Sequence, residues 1–309
     1  MSGYWSGILT ILALNVIMAY AIFLPVATGQ LNLGGAGFQA VGAYGAAYLS
    51  AKYGFAVWVT IPFAMILTAF VSFILAFPLL RTKGVYLVLA TFAFAEVVGG
   101  AILNTDALGG PMGLSVPAFV EYPVPLASAV LVTLFAFYLM ATRFGLVMRA
   151  AHDDDVVTDL MGVNVRGIRV AAFTIGGALA GLAGALYAHS FSFVEIQSFN
   201  AWISIYVLLY VLLGGTQTAW GPLAGAVFFT MLPEALRVVL PALKGWLGFA
   251  IGLQGANTAP DESWRFVILG VLTVLMMMFR PEGLITRTMI ERLSFRKRRP
   301  QLEAVDVAA

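Results

Sequence analysis

Apolar residues run in long blocks along this chain, with short polar stretches between them. The blocks cover 8–27, 34–51, 55–80, 85–103, 124–141, 171–188, 201–213, 222–240 and 264–279. Most are about 15–25 residues long, close to the roughly 20 that a helix needs to cross the hydrocarbon core of a bilayer. Lipid cannot satisfy an exposed backbone, so such blocks predict helices rather than strands. Blocks 34–51 and 201–213 are short for a full crossing and predict broken or tilted helices. The pattern predicts an all-α fold, a polytopic transmembrane helical bundle of about 8–10 segments.

Composition narrows the function classes. Of 309 residues, 61% are hydrophobic and 10% charged, against roughly 25% charged in soluble domains. No soluble domain fits, and one membrane domain is expected over 1–283, with a basic tail over 284–309. No Lys or Arg precedes Lys52, so block 8–27 lacks the basic start of a signal peptide and reads as a retained span. The chain has no cysteine, which excludes disulfides and thiol chemistry. His152 and His189 are too far apart for a metal motif, and no Ser–His constellation stands out. No catalytic residue, metal site or nucleic-acid partner is expected. The phosphate-loop pattern Gly-x-x-x-x-Gly-Lys-Ser/Thr is absent, so no cofactor is expected and any use of ATP falls to another subunit.

Basic residues orient the chain, because cytoplasmic loops keep Lys and Arg. Arg280, Arg287, Arg292, Arg296, Lys297, Arg298 and Arg299 follow the last block. Arg143, Arg149, Arg166 and Arg169 fall in the stretch 142–170, and Arg81 and Lys83 between the third and fourth blocks. Placing the tail inside puts all three stretches inside. The expectation is a multi-pass protein of the cytoplasmic (inner) membrane with a cytoplasmic C-terminus. Stretches 104–123, 190–200 and 241–263 then fall outside, and an outside N-terminus is the weaker preference. The basic tail reads as a topology anchor attracted to anionic lipid of the bilayer.

Candidate functional positions are few. Glycines crowd two blocks, with Gly34, Gly35, Gly37 and Gly42 in one and Gly177 and Gly181 in another. Gly177–Gly181 and Gly221–Gly225 are four apart and share a helix face, where small residues let helices pack closely. Asn15 reads as a helix–helix contact, and His189 as an interfacial residue at a span end. Glu96 lies within block 85–103, where a charge costs about 2.5–3.5 kcal/mol on insertion scales unless it faces protein or water. It either lines a translocation path, meeting a substrate ammonium, or is a structural carboxylate bonded to its neighbours. Within 142–170, residues 149–162 predict one short amphipathic helix. Val156, Val157, Leu160 and Met161 form its apolar stripe, Asp153, Asp154 and Asp155 sit in its first turns, and Gly162 ends it. The stripe needs a cover from the bilayer interface, the protein itself or a partner.

The segment from Gly145 through Arg149, Ala150, the three aspartates, Gly162 and Asn164 resembles the cytoplasmic coupling loop of ATP-binding-cassette importer permeases. Its Arg-Ala start and Met-Gly-Val-Asn end are similar to branched-chain amino acid permeases of the LivM type. The Gly-rich run from Leu31 to Tyr44, Arg81–Tyr86 followed by Thr91–Glu96, Leu108–Leu114, and Leu213–Gly215 with Gly221-Pro222 extend the likeness from about Leu31 to Gly283. The triple aspartate departs from the more mixed run expected there. The resemblance implies a permease subunit, itself no enzyme, that imports branched-chain or related small amino acids. It implies two ATP-binding subunits, a paralogous second permease of the LivH type and an external substrate-binding protein. Arg149, Ala150, Asp153, Asp154, Asp155, Gly162 and Asn164 would couple to the ATPases. Related importers carry other small solutes. A stand-alone ion-coupled transporter or channel is the alternative, since broken Gly-rich helices and a buried Glu96 would also suit that.

Overall fold

The computed structural model describes residues 3–251 and the separate positions 270, 271, 274, 275, 278 and 283. The rest of block 264–279 and the tail 284–309 lie outside the described residues.

The chain is an all-α bundle. Its helices are α1 (Gly3–Val26), α2 (Gly35–Tyr53), α3 (Val57–Leu79), α4 (Val85–Leu103), α5 (Pro123–Ala141), α6 (Arg143–Asp153), α7 (Asp155–Leu160), α8 (Val165–Phe191), α9 (Ala201–Gly214) and α10 (Trp220–Ile251). The only sheet among the described residues is an antiparallel pair, β1 (Leu114–Ser115) with β2 (Phe193–Val194). Among the described residues, six helical stretches are long and apolar enough to cross a membrane. Two boundaries differ from the sequence pattern. Helix α8 begins at Val165, well before residue 171, because Arg166 and Arg169 belong to its first turns rather than to a loop. Helix α10 runs through Pro241 to Ile251, so the expected outer stretch from 241 starts as helix.

Burial separates a centre from a rim. Helices α1 and α8 are largely buried, and so is the first part of α2. Helix α2 is not among the apolar spans: Gln39, Tyr44, Tyr48, Ser50 and Lys52 make it too polar, and it packs inside against α8, α3, α4 and α9. Helices α3, α4 and α5 turn broad faces outward.

Close approach at the centre depends on missing side chains. A methyl on Gly42 would lie 2.5 Å from the Gly181 Cα, and methyls on Gly177 and Gly181 would collide with Ser72 and Thr68 of α3. One on Gly37 would lie 2.9 Å from the Ala95 Cα, and those on Gly34 and Gly35 would press on α4 and Ile22. Gly221 and Gly225 abut the α9 backbone at Gly215 and Tyr210 in the same way. Hydrogen bonds mark one of these crossings, α3–α8, and another between α1 and α10. Ser72 Oγ donates to the Phe173 carbonyl at 2.9 Å, and Asn15 on α1 donates to Thr230 on α10 at 3.0 Å.

Contacts between loops fix the sense of each helix. Lys83 bonds Asp155, and the backbone at Gly29 abuts His152. The connections α1–α2, α3–α4 and α5–α8 therefore share one face, which carries Arg81, Lys83 and the basic stretch 142–170. The β1–β2 pair joins the 104–122 and 192–200 connections on the opposite face. The α1 N-terminus belongs to that opposite face.

Candidate functional site

The connection between α5 and α8 is a built structure rather than a slack loop. Thr142 turns the chain with an extended backbone, and α6 folds back so tightly that a methyl on Gly145 would lie 2.5 Å from the Met140 Cα. Gly145, Met148 and Ala151 bury one side of α6. Arg149 Nε donates to the Gly145 carbonyl at 3.1 Å, and its guanidinium reaches the Met140 carbonyl at 3.4 Å. A cation there suits the open carbonyls and negative dipole end of α5. Ala150 stays exposed.

The expected single helix over 149–162 is two helices. Asp154 is extended (φ −151°, ψ 111°) and breaks the run. Its carboxylate accepts from the amides of Val156 at 2.9 Å and Val157 at 3.0 Å, so it is the N-cap of α7. Three successive aspartates look like the acidic first turns of one helix, but an aspartate satisfies two free amides better as a cap than as an interior residue. The other end closes as the glycine suggests. Gly162 sits at φ +83°, its amide donates to Asp159 at 2.9 Å, and the Val163 amide to Thr158 at 3.4 Å. These two bonds make a Schellman motif, which needs a left-handed residue at that position. Asn164 caps α8 by accepting from the Gly167 amide at 2.9 Å.

Asp155 ties this unit to the bundle. Its carboxylate lies 2.9 Å from Lys83 Nζ and 3.3 Å from Arg169 Nη1, joining α7 to the α3–α4 connection and to α8. The Lys83 hydrogen bond and charge, aided by Arg169, hold the Asp155 carboxyl below the ordinary carboxylate range. Asp153 faces His152, 3.6 Å away. The apolar stripe is left bare: Val156, Val157, Leu160 and Met161 are 55–82% exposed. An uncovered apolar row on a tethered helix is of the kind that meets a partner or the bilayer interface. Beside it, a groove of about 670 Å³ between α3 and α8 is lined chiefly by Phe73, Phe77, Val170, Ala171 and Ile175, with Asn164 and Arg166 on its wall.

Glu96 is exposed on α4, and among the described residues none bonds it. The start of α2 lies on the other side of α4. There the Leu33 amide donates to Thr91 at 3.0 Å, the Gly34 amide to Asn32 at 2.8 Å and the Ala36 amide to Ser204 at 2.7 Å. Asn32 and side chains of α4 and α9 thus occupy amides that a buried helix start would leave open.

His189 is not interfacial. It is fully buried, with Nδ1 2.9 Å from the Ala118 carbonyl and Nε2 2.7 Å from Thr60 Oγ1. Nδ1 must donate to the carbonyl, so Nε2 accepts from the threonine hydroxyl. Together with the Val120 amide bonding the His189 carbonyl at 3.0 Å, this straps the 113–120 segment across α8 and α3. Among the described residues no group of His, Asp and Glu could hold a metal ion.

The sequence is similar to those of known proteins. A family model described as the permease component of branched-chain amino acid transport systems matches residues 4–277. The chain is 30% identical to the high-affinity branched-chain amino acid permease LivM of Escherichia coli K12, over 96% of this chain and 69% of that protein. It is also 30% identical to LivM of Salmonella typhimurium LT2, over 90% of this chain and 67% of that protein. A nucleoside ABC transporter permease, NupC of Lactococcus lactis, is 29% identical over 43% of this chain. No solved structure matches it. A multi-pass bundle of apolar helices, with this match across nearly its whole length, belongs to the family of branched-chain amino acid transport system permease components, as a LivM-type member.

Proposed function

We propose that this chain is the membrane-spanning subunit of an ATP-binding-cassette importer for branched-chain or related small amino acids. An external binding protein delivers the cargo, two ATP-binding subunits drive its passage, and a paralogous LivH-type permease completes the channel. The basic face is cytoplasmic, as is the C-terminus, and the strapped 104–122 segment meets the binding protein outside. The observation that carries the reading is α7: a helix capped at both ends, tied to the bundle by Asp155, with its apolar row bare. When the ATPases close on ATP they carry α7 with them. Asp155 passes that motion to α8 through Arg169 and to α4 through the Lys83 connection. Arg149 and Asn164 serve this by holding the frame, while Ala150 and the α7 stripe supply contact surface.

The test is to purify the protein gently from its native membrane, identify what accompanies it, and reconstitute the assembly. Two ATPases and a second permease, with amino-acid uptake that requires ATP and the loaded binding protein, are expected. Uptake by this chain alone without ATP would overturn the proposal in favour of an ion-coupled carrier or channel.

A further inference from the structure

Of the outward faces, that of α4 is the least suited to lipid. Leu87, Thr91, Ala95 and Ile102 form its buried stripe, which packs chiefly on α2. On the far side Leu89, Ala93, Glu96 and Gly100 follow at steps of four, three and four residues, one line along a helix. Glu96 lies about 16 Å along α4 from Val85, well inside the span. The outward faces of α3 and α5 differ. Trp58, Ile66 and Phe70 on one, and Val130, Leu131 and Leu134 on the other, belong to helices without a single charged residue. A carboxylate at such depth requires a donor or water. Ala93 and Gly100 on either side of it leave a shallow seat for another helix, and a methyl on Gly100 would meet none of the described residues within 4 Å.

We propose that this face of α4 is the seat of the second permease subunit, and that a hydroxyl, amide or basic side chain of that subunit donates to Glu96. The proposal rests on the paired-permease function above. A paralogue fits the seat better than a copy. In a two-fold contact the residue at the middle of the face meets its own mate, and two carboxylates brought together inside a membrane repel. Glu96 thereby stands where two subunits meet, on the wall of the path between them.

The experiment uses the whole transporter, with a photo-cross-linking amino acid at Ala93 or, as a second position on the exposed flank, Val97. Irradiation should join both positions to the second permease, and probes at Ile66 and Leu131 should not be joined to it. Adducts from Ala93 and Val97 with lipid only, with an ATPase subunit, or with another copy of this chain would overturn the proposal while leaving the importer reading intact. If no second permease co-purifies before irradiation, both fail together.

Discussion

Replacing Leu160 by alanine probes the α7 surface most directly. Leu160 is 82% exposed, so nearly all of its side chain is free to be covered by a partner. The change removes three carbons, each worth about 0.8 kcal/mol when buried. Complete covering therefore sets an upper figure of about 2.4 kcal/mol, which is roughly a 50-fold loss of affinity. The assay is binding of purified ATPase subunits to the permease in nanodiscs, followed by ATP hydrolysis stimulated by the loaded binding protein. Both should fall together. Thermal stability of the permease alone should hold, because the side chain is hardly covered by its own chain. Ile66→Ala, 69% exposed on α3, is the control and should leave affinity unchanged. Binding by Leu160→Ala within twofold of the unaltered protein would refute docking through α7, as would an equal loss in the control.

Asp154→Ala removes the cap of α7 and should destabilise that helix by about 1 kcal/mol, read as roughly fivefold faster amide exchange over 156–160; Asp154→Asn should behave as the original. The Asp155 tether has a defined pH dependence. Its carboxyl is held below the ordinary range when folded, so its contribution is complete above the unfolded value of about 3.9 and disappears as pH falls through the lower folded value. A label-to-label distance between α7 and the α3–α4 connection should hold from neutral pH to about pH 4 and lengthen below it, whereas Asp155→Asn should show the long distance throughout. Gly181→Val would collide with Thr68 and should cost about 1–3 kcal/mol, seen as a lower unfolding temperature in detergent that Thr68→Ala partly restores.

Most spans were legible because lipid imposes one rule on long apolar blocks, and one face because Arg81, Lys83 and the 142–170 stretch gather on it. What escaped was pairing. Glycines at four-residue spacing announce a close crossing, but nothing in the spacing says that Gly42 meets Gly181 or that Gly177 receives Ser72. The start of α8 was obscured by Arg166 and Arg169, which look like loop residues until the helix is seen to begin at Val165. His189 read as an interfacial residue at a span end, and only the fold brings Thr60 to 2.7 Å from it. The break at Asp154 turns on a backbone angle of one residue among three alike. In the coupling segment the sequence carried the apolar row and the terminal glycine, while the tether through Asp155 required Lys83, which is remote in the chain.

The seating of α2 has a consequence for how the protein is made. Its polar residues give it little tendency to enter lipid unaided, whereas the helices on either side of it in the chain enter readily. Its principal neighbour, α8, is synthesised more than a hundred residues later. During translation α2 must therefore wait at the insertion machinery, or be held by α1 and α3, until α8 arrives to enclose it. A ribosome stalled before α8 emerges should leave α2 open to water-soluble labels that cannot reach it in the finished permease.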